Sequence, residues 1–157
     1  DGYHFLPEKE QKMLKEVDGR FFLRSRYRRM IKVVMAGGVF DILHIGHIYT
    51  LNEAKKRGDI LIVVVAQDKH IANKKRKRIH SQDYRLAMVD FLKPVDAALI
   101  GLDKPEDMLK LVQPDVIVYG YDQKEFLKPE GVEIVKLDKH IEDSKFKTSR
   151  ILTELGL

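Results

Sequence analysis

The amino-acid sequence predicts an α/β fold built on a mostly parallel central sheet. From residue 31 onward, short apolar runs alternate with helix-forming segments. Strands that alternate with helices form right-handed β–α–β units, in which successive strands lie parallel. The chain has 157 residues, of which 44% are hydrophobic, so it can build one compact core of this kind but not two.

Five apolar runs are predicted to form the sheet. The clearest covers residues 60–65 and is nearly all β-branched, which is typical of a strand covered on both faces. Gly37 and Gly38 follow the first run, and such a pair predicts a tight turn there. The predicted strands cover residues 31–36, 59–66, 97–100, 116–119 and 132–137.

Capping residues mark the predicted helices. Ser81 is a favourable N-cap for the segment that follows it, and residues 103–106 resemble a capping box. Gly58 is placed to end the first helix of the sheet domain, because glycine is common just past a helix end. The predicted helices cover residues 7–17, 45–57, 81–92, 103–112 and a last segment from Thr148 or Ser149 to Leu155.

Residues 1–30 are predicted to be an N-terminal helical and basic extension of a main domain that covers residues 31–157. Five arginines alternate with aromatic residues between positions 20 and 29. This pattern indicates either an arm packed on the main domain or a nucleic-acid contact, and we favour the arm because charge runs are usually solvated faces. A dimerisation segment is a third alternative. The chain starts with Asp1 rather than Met, so we also leave open that residues 1–30 end an upstream domain.

The composition excludes several kinds of site. The chain has no cysteine, which excludes a disulfide scaffold, a cysteine-ligated zinc site and a thiol nucleophile. No apolar run approaches the roughly 20 residues that a membrane-spanning helix needs. We see no signal peptide, so we expect a cytoplasmic protein without a membrane partner. A net charge of +5 and a pI near 9.3 favour an anionic ligand.

The segment from Gly38 to His47 carries most of the functional information. A glycine turn between a strand and a helix presents free backbone N–H groups to an anion, and the helix dipole adds to their effect. His44 and His47 are three residues apart, so both imidazoles can point the same way in a first helical turn. Gly46 leaves space for a ligand next to the backbone. Two imidazoles aimed at a phosphate donate hydrogen bonds to charge that grows in a transition state.

Two other interpretations of the histidine pair stay open. A metal ion is one, but zinc usually takes three or four protein ligands and the sequence supplies no obvious third one nearby. A structural role is the other, although a loop flanked by glycines is an unusual place for core histidines. We therefore expect no metal held by protein side chains.

The sequence Gly-Val-Phe-Asp at positions 38–41, followed by His-Ile-Gly-His at 44–47, resembles the signature of the cytidylyltransferase-like nucleotidyltransferases. These HIGH-type enzymes have a Rossmann-like three-layer sandwich, join a nucleoside monophosphate to a phosphorylated acceptor and release pyrophosphate. The resemblance does not cover residues 1–30. It implies that His44 and His47 are catalytic and contact the nucleotide phosphates, and that Asp41 also structures the turn. The nucleotide-binding residues that it implies here are Gly38, Val39, Phe40, Asp41 and Gly46.

Basic residues after the second strand are the next candidates. Positions 74–78 are all lysine or arginine, and a loop there lies at the carboxyl end of the sheet, where it could close on a triphosphate. We interpret it as a substrate clamp with Lys74 and Lys77 as candidates, and keep a plain basic patch as the alternative. Residues 79–85 are similar to a stretch of glycerol-3-phosphate cytidylyltransferases, which implies that Arg85 contacts the β- and γ-phosphates with its guanidinium fork.

Two later segments extend the resemblance. Residues 120–123 look like the family's turn that contacts base and ribose, which implies Gly120 and Asp122, although Gln123 replaces an aromatic residue that cytidylyl members often carry. Residues 146–151 are partly similar to the family's second motif and lack its leading arginine and its glycine. The residues implied in this segment are Thr148 and Ser149 for nucleotide binding, with Lys147 and Arg150 as candidates for the missing charge.

The resemblance implies nucleotidyl transfer from CTP or ATP to a phosphorylated small molecule, with Mg²⁺ carried by the triphosphate. Glycerol 3-phosphate with CTP is the first choice, because of the likeness around Arg85. FMN with ATP, an archaeal-type FAD synthase reaction, is the alternative. A non-catalytic nucleotide- or RNA-binding module is the alternative of another class, suggested by the two basic stretches. We expect a small-molecule rather than a nucleic-acid partner, and leave a homodimer open.

Overall fold

The structure, a computed structural model, describes residues 2–72, 79–138 and 153–154. The chain divides into two compact units, Asp1–Ile31 and Lys32–Leu157. Among the helices of the described residues, none is long and apolar enough to cross a membrane.

The N-terminal unit is a β-hairpin flanked by short helices. A 3₁₀-helix at Gly2–Phe5 and helix α1 (Glu8–Gln11) precede the hairpin, and helix α2 (Ser25–Arg28) follows it. The predicted helix over residues 7–17 is confirmed only at Glu8–Gln11, because Asp18 (φ 50°) and Gly19 (φ 72°) form a two-residue turn that pairs the flanking segments antiparallel. Asp-Gly is a strong hairpin signal, since both central residues of such a turn need positive φ. The elements are α1 (Glu8–Gln11), β1 (Leu14–Val17), β2 (Arg20–Leu23) and α2 (Ser25–Arg28).

The second unit is an α/β sandwich around a five-stranded sheet, which confirms the predicted fold class. Every strand pairing in the described part of this sheet is parallel. Its strands are β3 (Val33–Gly38), β4 (Ile60–Val65), β5 (Ala97–Ile100), β6 (Val116–Tyr119) and β7 (Glu133–Lys136). Its helices are α3 (Ile45–Lys55), α4 (Asp68–Ala72), α5 (Gln82–Asp90) and α6 (Pro105–Val112).

The strand order β5-β4-β3-β6-β7 creates a switch point. The chain runs outward from β3 to β5, crosses back to β6 and continues to β7. Because right-handed crossovers in opposite directions leave their helices on opposite faces, α3 and α5 cover one face and α6 the other. Ligands of open α/β sheets bind at the carboxyl ends of the strands where the direction reverses. In this sheet that point lies between β3 and β6.

Some predicted boundaries are wrong for local reasons. Gly37 and Gly38 pair with Val64 and Val65 of β4, so they belong to β3 and the turn begins after them. The predicted capping box does not form, because Lys104 is the N-cap of α6 without a side-chain cap and Pro105 takes the first helical position.

Other local expectations fare differently. Ser81 does cap α5, with its hydroxyl accepting the Tyr84 N–H at 3.3 Å. Helix α4 was not predicted, and the predicted last helix lies outside the described residues except at 153–154, which are helical.

The core joins the inward residues of the sheet to Leu51 and Ala54 of α3 and Val89 of α5. Two charged side chains are buried with it in the described part of the chain: Asp41 is 1% exposed and Arg85 is not exposed at all. Buried ionised groups are rare unless they are paired and hydrogen-bonded. Both lie at the carboxyl end of the sheet, beside the turn that follows β3.

Candidate active site

The turn after β3 is tightly packed on itself. Phe40 has a φ of 54° in the left-handed region and is buried, which is an uncommon conformation for a bulky residue. Its ring lies against Gly38, where an added Cβ would come within 2.8 Å of Cζ. Any side chain at position 38 would therefore displace the ring. Backbone outliers of this kind cluster at functional sites.

The two signature histidines lie together at the start of α3. Their rings are stacked with centroids 3.8 Å apart, and the Phe40 ring meets His47 edge-on at 5.1 Å. Gly46 makes this possible in a way the sequence did not indicate. A Cβ there would lie 3.0 Å from Nδ1 of His44, so the missing side chain makes room for the His44 ring against the helix.

Burial affects the charge of His44. Its Nδ1 is buried without a hydrogen-bond partner, and burial lowers the pKa of His44 below the ordinary value of 6.5, while the charge of Asp122 opposes this by raising it. The lowered pKa therefore disfavours the charged form of His44. A neutral imidazole still donates one hydrogen bond, so the side chain can interact with a phosphate without carrying a full charge.

Asp41 holds the turn to the segment before α5. Its carboxylate accepts the backbone N–H of His80 at 2.8 Å and that of Ile79 at 3.1 Å. The His80 ring returns the contact, with Nδ1 2.6 Å from the Asp41 carbonyl oxygen. Asp41 thus has its carboxylate occupied by backbone donors and holds the turn in place.

Arg85 has a different setting from the one the sequence analysis expects. Its guanidinium is fully buried and donates to backbone carbonyls and to the Asp68 carboxylate. Four of its five N–H donors are used in this way, since Nε also donates to the His80 carbonyl. A surface arginine reaching for phosphates would keep its fork free, so Arg85 of this structure is part of the framework under the turn.

A second turn lies across the switch point, at the end of β6. Gln123 closes it, because its Oε1 accepts the Gly120 N–H at 2.8 Å and its Nε2 donates to the Gly37 carbonyl at 2.7 Å. The two turns are therefore joined by one side chain. In the sequence, Gln123 is recognisable only as a departure from the family pattern, and this bridge could not be predicted from it. Asp122 beside it is exposed and acts on His44 through its charge.

The remaining predicted site residues lie outside the described residues. They are Lys74, Lys77, Lys147, Thr148, Ser149 and Arg150.

Comparison with known proteins assigns the chain to a family. A family model described as cytidylyltransferase-like matches residues 35–152, which include both turns. The chain belongs to the cytidylyltransferase-like family. The Rossmann-like fold and the nucleotidyltransferase activity expected from the sequence are thereby confirmed, and the non-catalytic module is not supported.

Individual relatives of this cytidylyltransferase-like protein include two FAD synthases. The FAD synthase of Aciduliprofundum boonei is 44% identical over 134 residues, which are 78% of this chain and 89% of that protein. The FAD synthase of Thermococcus onnurineus is 34% identical over 145 residues, or 85% of this chain and 96% of that protein.

A solved structure is also similar. The crystal structure of the lipopolysaccharide core biosynthesis protein from Thermoplasma volcanium shares 41% identity with a TM-score of 0.63. The match covers 69% of this chain and 98% of that one.

Proposed function

We propose that this nucleotidyltransferase is an FMN adenylyltransferase, which transfers AMP from ATP to FMN and forms FAD and pyrophosphate. The observation that carries the proposal is the 44% identity to the FAD synthase of A. boonei across 89% of that protein. The T. onnurineus relative supports the same activity over nearly its whole length.

FMN with ATP replaces glycerol 3-phosphate with CTP, which was the first choice from the sequence. Glycerol 3-phosphate with CTP rested on a likeness around Arg85, and that side chain is buried among carbonyls and a carboxylate. The two relatives favour FMN with ATP, which was the alternative. Gln123 agrees with this, since cytidylyl enzymes of the family often carry an aromatic residue at its position.

The proposed reaction is an in-line displacement at the α-phosphorus of ATP. An oxygen of the FMN phosphate forms a new bond to that phosphorus, the bond to the oxygen bridging to the β-phosphorus breaks, and pyrophosphate leaves with the electron pair. Negative charge grows on the transferred group and on the leaving group. Catalysis of this kind is mainly positioning and electrostatic stabilisation.

The turn after β3 supplies the groups for that stabilisation. His44 and His47 donate from stacked imidazoles, and the backbone N–H groups around Gly38, Val39 and Phe40 face the phosphates at the end of the strand. The lowered pKa of His44 favours a neutral ring that donates a hydrogen bond over a charged one. The turn at Gly120 and Asp122 holds the ribose and the base.

Mg²⁺ enters with ATP, bound to its phosphates. Among residues 2–72, 79–138 and 153–154, no group of three or more His, Cys, Asp or Glu side chains is arranged to hold a metal ion. The ion neutralises charge on the leaving pyrophosphate. Lys74, Lys77, Lys147 and Arg150, with the hydroxyls of Thr148 and Ser149, are proposed to add to this neutralisation.

The test is a substrate matrix with the full chain. ATP and CTP are each offered with FMN, glycerol 3-phosphate and a sugar phosphate, and both pyrophosphate and the joined product are measured. We expect ATP with FMN to give FAD and pyrophosphate in equal amounts. Every other pair of nucleotide and acceptor should react at less than about a hundredth of the rate of this pair. Pyrophosphate release with glycerol 3-phosphate or the sugar phosphate, but not with FMN, would overturn the proposal while keeping the reaction class.

A further inference from the structure

Arg85 forms the centre of a hydrogen-bond cluster that the proposed mechanism does not use. Its Nη1 donates to the Val39 carbonyl at 2.5 Å, and its Nη2 donates to the Ala66 carbonyl and to Oδ1 of Asp68, both at 2.8 Å. Nε completes the set with the His80 carbonyl at 3.3 Å. A planar guanidinium can hold several acceptors in fixed directions at once, which a lysine ammonium cannot.

Each acceptor belongs to a different part of the sheet's carboxyl edge. Val39 begins the turn after β3, Ala66 follows β4, and Asp68 is the first residue of α4. The Gly38 carbonyl also accepts the Ala66 N–H at 2.9 Å. Arg85 therefore links the turn after β3 to the end of β4, next to the backbone hydrogen bond between Gly38 and Ala66. The position of the turn thus depends on the guanidinium.

The hydrogen bond from Arg85 to the Val39 carbonyl also sets the direction of the Phe40 N–H, because the two groups belong to one peptide unit. The described part of the chain contains no cis peptide bond, and in a trans peptide the carbonyl and the N–H point in opposite directions. A Val39 carbonyl held toward Arg85 turns the Phe40 N–H away from it. Phe40 has its uncommon positive φ at this place, and a conformation of that kind persists only where the surroundings impose it.

We infer that Asp68 and Arg85 form a positioning pair that aims the Phe40 N–H at the triphosphate. Arg85 holds the Val39 carbonyl, and Asp68 holds Arg85 and supplies the counter-charge for its buried guanidinium. Neither side chain contacts the substrate. The inference rests on the proposed function in one respect, that an ATP phosphate lies before the Phe40 N–H.

Asp68 is the sharper place to test the pair. Its side chain is 26% exposed while that of Arg85 is fully buried, and Asp68→Asn keeps the shape of the residue while it removes the counter-charge. Asp103→Asn is the matched control, because Asp103 lies at the same edge of the sheet and pairs with Lys69 but not with Arg85.

The kinetic experiment compares Asp68→Asn, Arg85→Lys and the double variant at a temperature where circular dichroism shows each to be folded. We expect kcat/KM for ATP to fall about 10-fold in Asp68→Asn and about 100-fold in Arg85→Lys, because small displacements of a positioning group cost this much. The double variant should lose no more than Arg85→Lys does alone, since both changes break one unit. Asp103→Asn should match the unchanged protein.

A direct view of the amide is available because Val-Phe occurs once in the sequence, at positions 39–40. Protein labelled with carbonyl-¹³C valine and ¹⁵N phenylalanine gives a single signal in an NMR experiment that correlates each N–H with the preceding carbonyl carbon. That signal belongs to the Phe40 N–H. In the unchanged protein we expect this signal to move when Mg²⁺ and a non-hydrolysable ATP analogue are added. In Asp68→Asn it should start from a shifted position and move less.

The outcomes separate the two claims. A Phe40 signal and a kcat/KM that are the same in Asp68→Asn and Asp103→Asn would overturn the positioning pair. Tighter binding of the analogue by Asp68→Asn would also overturn it, because a freed guanidinium would then be contacting phosphate itself. If the unchanged protein makes no FAD from ATP and FMN, the proposed function fails, and the Phe40 signal alone still decides for or against the pair.

Discussion

Two turns at the same edge of the sheet differ in how they are held. The turn after β3 is fixed by buried ionised groups, with Arg85 on the Val39 carbonyl and the Asp41 carboxylate on two backbone amides. The turn after β6 is fixed by one neutral side chain, Gln123, and carries an exposed Asp122.

The difference follows the chemistry that each turn is proposed to perform. A group that stabilises a transition state must be placed within fractions of an ångström, and buried charge-assisted hydrogen bonds give that rigidity. A turn that binds a ribose and a base in the ground state tolerates a looser frame. Changes in the first turn should therefore lower kcat, and changes in the second should raise the KM for ATP.

The largest effect is expected from the stacked histidines. His44→Ala or His47→Ala should lower kcat for FAD formation by about 10²–10³, as expected for loss of one donor to developing charge. Steady-state kinetics with saturating ATP and FMN measure this. His70→Ala is the control, because His70 is an exposed histidine on α4. This substitution should change neither kcat nor the KM for ATP. A loss of less than about fivefold from both changes would remove the histidines from the transition state.

Gly38→Ala should have the next largest effect. The new Cβ would come within 2.8 Å of the buried Phe40 ring, and moving that ring shifts His47 and the turn with it. We expect kcat to fall by about 10²-fold and stability to fall by about 1–3 kcal/mol. Gly101→Ala is the matched control, since a Cβ there meets its nearest neighbour at 3.4 Å. Equal effects of the two changes would contradict the role of the ring.

Gln123→Ala tests the looser turn. It leaves the Gly120 N–H and the Gly37 carbonyl without their partner, which costs about 1–3 kcal/mol of stability. We expect the KM for ATP to rise about 10-fold with kcat within about threefold of its original value, because the lost contacts act on ground-state binding. Gln123→Glu should be as harmful, since a carboxylate oxygen would then face the Gly37 carbonyl. A loss confined to kcat would place this turn with the first one.

In the protein without ATP, Asp122→Asn should give the smallest effect, which is a change in the pKa of His44. The Asp122 charge raises the pKa of His44 against the larger lowering by burial, so its removal should lower that pKa further. Because the folded pKa lies below the ordinary 6.5, the contribution to stability is complete above pH 6.5 and is lost as pH falls through the folded pKa. The variant should extend this loss to lower pH. An NMR titration of the His44 ring, with His70 as the internal reference, measures the shift.

Much of the sheet was predictable because its signals are local. Residues 97–100 and 116–119 were predicted as strands and form β5 and β6 with the same bounds, since a short apolar run bounded by turn residues needs a covered sheet wherever it lies. The hairpin of residues 14–23 was not predicted, although the Asp18-Gly19 pair indicates a hairpin turn. A few apolar residues there have helical spacing, but the turn chemistry of Asp18-Gly19 decides the local structure.

The site divides in the same way. The signature histidines and their turn were recognisable because consecutive residues carry them, and the order of strands and helices already placed them at a strand end. By itself the sequence thus determined the fold class, the reaction class and the position of the turn that carries the signature histidines. The tertiary structure alone decided that Arg85 lies under the turn rather than over it, that Asp68 is its partner, and that Gln123 joins β6 to β3. Those contacts join residues between 17 and 86 positions apart, and whether a polar side chain meets solvent or a distant carbonyl depends on the three-dimensional packing of the strand ends.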